Sequence, residues 1–183
     1  MSKIKTVGIV GTGVIGTGWI IRNLAHNKIV HAYDQNKNLK NYVLKEIKRT
    51  SKSIKKLFGK KILIKNLKFF NSLEKALSNV DFVQESVLEN YKVKTDLIQK
   101  ISKYVKSNVI ISSSSSGLLP SKIFSKSKNP QRGIIGHPFN PAYLLPAVEI
   151  VPGKKTTRKF LSDANKYYKS ISMKPIMLKK ELP

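Results

Sequence analysis

The chain has 183 residues and a strongly basic composition, with 35 Lys and Arg against 10 Asp and Glu and a net charge of +25. It contains no cysteine, which excludes disulfides, thiolate catalysis and cysteine-type zinc sites, and we predict no metal site. Because 40% of the residues are apolar, the chain can bury a domain-sized core, and no apolar run reaches the roughly 20 residues of a membrane span. We therefore expect a cytoplasmic protein that does not bind membranes.

Short β-branched runs alternate with longer amphipathic stretches along the chain. The runs predict strands over 6–10, 29–33, 68–70, 81–84, 109–112, 133–136 and 148–151. The amphipathic stretches predict helices over 19–25, 38–58, 72–77, 90–105 and 157–170. This alternation indicates an α/β fold of the Rossmann type, with a doubly wound, mainly parallel sheet, and we assign residues 1–183 to one such domain.

A glycine-rich turn follows the first predicted strand and matches the pattern G-x-G-x-x-G. Its residues are Gly11, Thr12, Gly13, Val14, Ile15 and Gly16. In such a turn the first glycine allows a tight bend, the second lets the backbone approach a pyrophosphate, and the third brings helix and strand together. The helix N-terminus then faces the phosphates. The pattern predicts a dinucleotide site, with an ordinary strand-turn-helix as the alternative.

Asp34 ends the second predicted strand, 18 residues after Gly16. A carboxylate at this position accepts hydrogen bonds from the ribose hydroxyls of NAD. No arginine follows in residues 35–38 to pair with a 2′-phosphate, so the sequence predicts NAD rather than NADP as the cofactor. The glycines are not followed by Lys-Ser or Lys-Thr, which excludes a P-loop nucleotide hydrolase.

Three polar side chains fall late in the predicted sheet. Ser116 comes after strand 109–112, His137 comes directly after strand 133–136, and Glu149 lies within strand 148–151. Oxidation of a hydroxyl to a ketone needs a base, and histidine suits that role near neutral pH. A carboxylate on the other ring nitrogen would fix its tautomer, so we nominate His137 with Glu149. A loop histidine without a catalytic role is the alternative, and we expect His26 and His31 to be structural.

Several segments together resemble the 3-hydroxyacyl-CoA dehydrogenase superfamily. They are residues 11–16, 81–86, 114–121, 137–141 and 144–149, and their order and spacing match across the chain. Within the superfamily, the sequences GLLPS, HPFNPxYLLPxVE and the late Met173-Lys174-Pro175 are most similar to the carnitine 3-dehydrogenases. Members that use CoA esters usually differ between the H-x-F-N-P motif and the glutamate. The resemblance implies NAD-dependent oxidation of the 3-hydroxyl of a small hydroxyacyl substrate.

The resemblance also implies roles for individual residues. His137 matches the general base, Glu149 matches its orienting partner, and Ser116 matches a residue that hydrogen-bonds the reacting oxygen beside the cofactor. Asn140 matches a position close to the nicotinamide and the substrate.

Glu89 and Lys94 match positions that contact the cofactor. The alternatives are that Glu89 only begins a helix, that Lys94 is a solvated surface lysine, and that the serine run 112–116 is a flexible loop.

In this family the residues matching 179–183 lead into a second, helical domain. That domain contributes dimer contacts, one wall of the substrate cleft and a polar catalytic residue. Because the sequence stops at Pro183, we expect a C-terminally truncated form, an incomplete reading frame or one half of a split enzyme. We expect a homodimer only when the helical domain is present.

The basic charge is mostly lysine, which supplies 31 of the 35 cations and is spread from Lys3 to Lys180. No aromatic RNA-binding signature accompanies it, so we predict no specific nucleic-acid partner. Three other hypotheses stay open: an acyl-CoA dehydrogenase of fatty-acid metabolism, a non-catalytic NAD-binding module and a basic nucleic-acid-binding domain.

Overall fold

The structure is a computed structural model that describes residues 4–59 and 61–181. Within these residues one sheet of eight strands has the order β3-β2-β1-β4-β5-β6-β7-β8. The strands are β1 (Thr6–Val10), β2 (Ile29–Tyr33), β3 (Leu67–Phe70), β4 (Phe82–Glu85), β5 (Ile110–Ser113), β6 (Gly133–Pro138), β7 (Ala147–Pro152) and β8 (Lys174–Met177). All neighbouring strands are parallel except β6 and β7, which confirms the predicted mainly parallel sheet.

Helices cover both faces of the sheet. They are α1 (Val14–Ala25), α2 (Leu39–Phe58), α3 (Leu73–Leu77), α4 (Tyr91–Tyr104), α5 (Pro120–Ile123) and α6 (Arg158–Ser170), with 3-10 turns at Ile64–Asn66 and Pro130–Arg132. Buried residues of α1, α2 and α6 form one core cluster with the sheet, and those of α3, α4 and α5 form a second. The sheet is therefore doubly wound, as the sequence predicts.

The α2 helix shows how the lysine-rich sequence still builds a core. Its buried residues, Val43, Ile47, Thr50 and Ile54, recur every three or four positions and face the core beside α1, while lysines fill the solvent side. Gly59 ends the helix in a left-handed conformation with φ of 64° and donates its N–H to the carbonyl of Lys55. None of the described helices is long and apolar enough to cross a membrane.

Two elements were not predicted, and one shifted strand boundary changes the place of a candidate site residue. The α5 helix has four residues, too few to show a helical period, and β8 contains Pro175 and a lysine, which are tolerated because the strand lies at the sheet edge. His137 lies inside β6 rather than after it, because the antiparallel partner β7 extends the pairing to Pro138. Leu182 and Pro183 of the predicted family motif lie outside the described residues.

Candidate active site

The glycine-rich turn has the shape that the sequence predicts. Gly11 has φ of 88°, and a Cβ there would lie 2.7 Å from the Ser86 carbonyl oxygen. A Cβ on Gly16 would lie 1.8 Å from the Gly11 carbonyl oxygen, whereas a Cβ on Gly13 would meet nothing within 4 Å. Two of the glycines are thus required by the turn itself, and Gly13 faces the open space that an approaching pyrophosphate needs.

The residues between the glycines divide into inward and outward positions. Thr12 is buried, and its hydroxyl lies 3.2 Å from Asp34. Val14 begins α1 with its side chain 60% exposed, while Ile15 packs on the core. The turn therefore offers a backbone surface to a ligand, with side chains mainly serving the fold.

Asp34 is fixed at the mouth of this turn. Its Oδ2 accepts a hydrogen bond from the Thr12 backbone N–H at 2.6 Å, and its Oδ1 accepts one from the Asn36 N–H at 2.9 Å. The carboxylate lines a cavity of about 770 Å³ at the C-terminal ends of β1, β2 and β4. The described lining also contains Glu74 and Asp96 and a single basic residue, Lys100. This acidic lining fits the adenosine half of NAD and opposes a 2′-phosphate.

A buried ion pair lies behind the cavity wall. The Lys94 ammonium is 2.8 Å from Glu85 Oε1 and 3.5 Å from Glu89 Oε2, and it donates to the Val87 carbonyl at 3.1 Å. The side chains of Lys94 and Glu85 are 1% and 0% exposed, and Ser113 also donates to Glu85. Such a pair is stable only because hydrogen bonds satisfy both charges. The solvated-lysine alternative for Lys94 is therefore wrong, and its protons point at oxygens of the wall rather than into the cavity.

Glu89 connects this wall to the loop that carries Ser116. Its Oε1 accepts hydrogen bonds from the backbone N–H groups of Ser116 at 2.9 Å and Gly117 at 3.2 Å. The start of α4 is capped by Asn90 instead, whose side chain accepts from the Val93 N–H. Glu89 thus does more than begin a helix, and the exposed Ser116 hydroxyl is held at a defined place by its backbone.

The serine run begins inside β5, which includes Ser112 and Ser113, and most of its side chains are hydrogen-bonded. Ser112 shares a 2.8 Å hydrogen bond with the Tyr168 hydroxyl, which donates to Gln84 at 2.7 Å. Ser114 Oγ accepts from Trp19 Nε1 at 3.1 Å and from Gln84 Nε2 at 2.8 Å. Burial raises the pKa of Tyr168, so its hydroxyl remains a donor. Sequence reasoning missed these partners because they lie 84 and 95 residues apart in the chain.

His137 and Glu149 face each other across the antiparallel pairing of β6 and β7. The ring Nδ1 lies 2.9 Å from Glu149 Oε2, and the two residues are direct register partners. Their side chains are 28% and 36% exposed, so both groups are partly open to solvent. An Nδ1–H bonded to a carboxylate leaves Nε2 with the lone pair that a base requires.

The other two histidines make structural contacts. His26 lies 2.8 Å from both the Arg22 carbonyl and the Ser172 hydroxyl. His31 lies 3.0 Å from the Ala76 carbonyl, and burial lowers its pKa.

Residues 139–146, here called the β6–β7 loop, connect the strands that carry His137 and Glu149. Phe139 is 43% exposed, and the centre of its ring lies 6.1 Å from that of His137, while Asn140 is also exposed. Tyr143 packs on the core instead, and together with Glu46 it raises the pKa of Arg49. The loop therefore presents Phe139 and Asn140 to a ligand and turns Tyr143 away.

The loop also depends on a residue that the sequence analysis did not single out. Arg22 of α1 is fully buried and donates to the carbonyls of Ala142 and Leu145, both at 3.0 Å. Burial lowers the pKa of Arg22 to about 10.

The fold and these contacts define a domain that binds a nicotinamide dinucleotide. The domain also carries a histidine–carboxylate pair on the side of the sheet where the parallel strands end. The chain belongs to the family described as 3-hydroxyacyl-CoA dehydrogenase, NAD binding domain, whose model matches residues 6–182. NAD is accordingly the cofactor of this domain.

Similar proteins include L-carnitine dehydrogenases and a 3-hydroxybutyryl-CoA dehydrogenase. The chain is 41% identical to an L-carnitine dehydrogenase of Oceanobacillus iheyensis over 98% of its own length and 59% of that relative. It is 40% identical to an L-carnitine dehydrogenase of Pseudomonas putida over 100% of its length and 57% of that relative. The chain thus spans less than two thirds of these relatives.

A solved structure of 3-hydroxybutyryl-CoA dehydrogenase from Escherichia coli K12 shares the fold, with a TM-score of 0.88 and 24% identity. The match covers 96% of this chain and 38% of that one.

Proposed function

We propose that the whole protein is an NAD-dependent dehydrogenase that oxidises the 3-hydroxyl of a small 3-hydroxyacyl substrate, with carnitine as the first candidate. Residues 1–183 serve as its cofactor-binding domain. The single observation that carries the proposal is the 2.9 Å contact of His137 with Glu149. His137 lies near the C-terminal end of β6, and the glycine-rich turn lies at the C-terminal end of β1, on the same side of the sheet. A dehydrogenase needs this combination of a dinucleotide site and an oriented base.

The cofactor supplies the hydride acceptor when it is bound. Gly13 and the N-terminus of α1 hold its phosphates, and Asp34 accepts its ribose hydroxyls. Glu89 holds the Ser116 loop through a backbone N–H, and Lys94 in turn pairs with Glu89.

His137 takes the proton from the substrate hydroxyl at Nε2. Its Nδ1–H donates to Glu149, which fixes the tautomer and stabilises the imidazolium that forms. Ser116 would donate its hydroxyl proton in a hydrogen bond to the reacting oxygen, and Asn140 would contact the nicotinamide and the substrate, as the family resemblance implies. General-base help of this kind typically contributes about 10² to 10⁴ in rate.

The preference for carnitine rests on the 41% and 40% identities to L-carnitine dehydrogenases and on Phe139. An exposed ring near the base suits a quaternary ammonium, which aromatic faces attract by about 0.5 to 2 kcal/mol. Tyr143 is a poorer candidate, because it packs on the core and interacts with Arg49. An anionic 3-hydroxyacyl-CoA is the second candidate, since the net charge of +25 attracts anions over long range.

The remaining assignments concern partners and location. We propose a homodimer formed through the helical domain that the family resemblance implies, and a cytoplasmic location, where NAD is plentiful. We propose no sequence-specific nucleic-acid binding. Any nucleic-acid association should be lost steeply as salt rises, because scattered lysines release counterions without contacting bases.

The test uses a fusion enzyme in which this chain is followed by the part of the Oceanobacillus iheyensis relative that it does not match. We expect NAD-dependent turnover of carnitine, weaker turnover of 3-hydroxybutyrate, and little with 3-hydroxybutyryl-CoA. Efficient turnover of the CoA ester with none of carnitine would reverse the substrate preference. A fusion that binds NADH and oxidises none of them would contradict the dehydrogenase proposal.

The chain alone is the matched control. It should bind NADH, seen as energy transfer from Trp19, the only tryptophan of the chain, to the bound cofactor. It should turn over poorly, because the family's second domain closes the cleft and excludes water. Full activity of the chain alone would show that a second domain is unnecessary.

A further inference from the structure

We propose that Arg22 is a positioning residue that locks the β6–β7 loop onto the cofactor helix α1 and thereby sets substrate recognition. The inference rests on the proposed function, because it treats this loop as the substrate side of the site. The glycine-rich pattern does not predict this role of Arg22, because Arg22 lies six residues beyond Gly16.

The contacts of Arg22 describe a fork that holds the loop at two points. Nε donates to the Ala142 carbonyl and Nη2 donates to the Leu145 carbonyl, each at 3.0 Å. The guanidinium carbon lies 4.9 Å from the centre of the Phe58 ring on α2. A planar guanidinium can satisfy two acceptors at once, which the single ammonium of a lysine does less well.

The inner side of the loop also touches α1 directly. A Cβ on Gly18 would lie 3.1 Å from the Ala142 Cβ, so the loop backbone is packed against the helix with no room for a larger residue. The outer side carries the exposed side chains of Phe139, Leu144 and Leu145. Arg22 therefore fixes one side of the loop while the other side remains available to a ligand.

Arg22 is held by neutral carbonyl groups, and its Nη1 is buried without a hydrogen-bond partner in the described structure. A buried cation with incomplete hydrogen bonding is a costly way to fill space that an apolar residue can fill. We therefore attribute the presence of Arg22 to its positioning of the loop rather than to the space that it fills. Because α1 begins at the glycine-rich turn, one helix then fixes both the cofactor turn and the loop that carries Phe139 and Asn140.

The chain offers a matched control in Arg132. It is 1% exposed, donates Nη2 to the Ser102 carbonyl at 2.8 Å and Nη1 to the Lys106 carbonyl, and has a buried Nε without a partner among the described residues. Arg132 precedes β6, whereas His137 lies near its other end, roughly 16 Å away at about 3.3 Å per residue. Arg132 is therefore, like Arg22, a buried arginine bonded to backbone carbonyls, but it lies at the opposite end of β6 from His137.

The first test uses the chain itself and does not depend on activity. Hydrogen exchange is measured for residues 139–146 and for residues 102–107 in Arg22→Met and Arg132→Met. We expect about tenfold faster exchange of Leu144 and Leu145 in Arg22→Met only, with unchanged NADH affinity, because the loop opens locally. Equal protection of the loop in both variants would overturn the proposal.

The second test uses the fusion enzyme. Arg22→Met should raise KM for the hydroxy substrate about tenfold while KM for NAD stays within about twofold, because the loop positions only the substrate. Arg22→Lys, which keeps the charge and folds more readily, should show a smaller rise, and Arg132→Met should show none. Equal changes in both KM values would contradict a positioning role. A wild-type fusion without dehydrogenase activity would contradict the proposed function, while the exchange test would still decide the locking role.

Discussion

The two ends of the candidate site are built by different means. At the cofactor end, the turn from Gly11 to Gly16 and the carboxylate of Asp34 depend on backbone geometry within one β-α-β unit. At the catalytic end, groups from distant segments meet. Trp19 donates a hydrogen bond to the Ser114 hydroxyl, and Arg22 donates one to the Leu145 carbonyl. Local geometry thus defines where the cofactor lies, and long-range hydrogen bonds define what faces it.

This contrast predicts that substitutions at the two ends have separable effects. Damage to the cofactor end should change NADH affinity, and damage to the catalytic end should change rate or substrate KM with NADH affinity intact.

The largest effect should come from His137→Ala in the fusion enzyme. We expect kcat to fall by about 10² to 10⁴, because the hydroxyl proton loses its acceptor, while NADH affinity measured by titration stays the same. Glu149→Gln should lose less and shift the pH profile of kcat, since it keeps a hydrogen-bond partner for the ring. Wild-type rates in His137→Ala would remove the proposed base.

The next effect sharpens the cofactor end. Gly16→Ala places a Cβ 1.8 Å from the Gly11 carbonyl oxygen, so we expect destabilisation by about 3 kcal/mol and loss of NADH binding. Gly13→Ala meets nothing within 4 Å, so it should fold normally and weaken only NADH binding. Urea unfolding and NADH titration separate the two outcomes, and a stability loss in Gly13→Ala would contradict the assigned role of that position.

A smaller effect concerns the choice of dinucleotide. Asp34→Asn keeps one side-chain oxygen that can accept from the Thr12 N–H but removes the charge that repels a 2′-phosphate. We expect the ratio of NADPH to NADH dissociation constants to fall about tenfold, a change of about 1.4 kcal/mol. Titration of both reduced cofactors measures it. An unchanged ratio would show that Asp34 does not select the cofactor.

The smallest effect concerns stability at acid pH, away from both ends. Burial, with a contribution from Lys68, lowers the pKa of His31 below its ordinary value of 6.5, so the unfolded chain binds this proton more readily than the folded chain. Stability should therefore fall as pH drops below about 6.5.

His31→Asn retains a donor for the Ala76 carbonyl and cannot titrate. Urea midpoints at pH 7.5 and pH 5.5 should differ less in this variant than in the wild type. An equal difference would assign the acid sensitivity to other groups.

The sequence predicted the fold well because its signals are local. The 3.6-residue repeat before Gly59 identifies α2, and the β-branched run before Gly11 identifies β1, without knowledge of their partners. The same holds for Asp34, which follows its strand directly. The β8 strand was not predicted, because an exposed Lys174 followed by a half-buried Pro175 is not typical of a strand sequence.

The catalytic end was predicted only in part. The residues His137, Glu149 and Ser116 came from their positions in the sheet and from family resemblance, but their contacts did not. Burial of Lys94 and the tether of Arg22 depend on which segments meet in three dimensions, and a charged residue in a helix gives no local sign of being buried. Arg22 is the only charged residue of the mostly apolar α1, a pattern that could have drawn attention to it.

The antiparallel register of β6 and β7 has a consequence for evolution and engineering. Because His137 and Glu149 are joined across a backbone ladder, their separation does not depend on the length or composition of the loop between the strands. That loop can be exchanged for one from another relative while the reactive pair stays aligned. The hairpin thus allows the loop to change without moving the His137–Glu149 pair, and a grafted loop keeps its own place on α1 where it supplies carbonyls to Arg22.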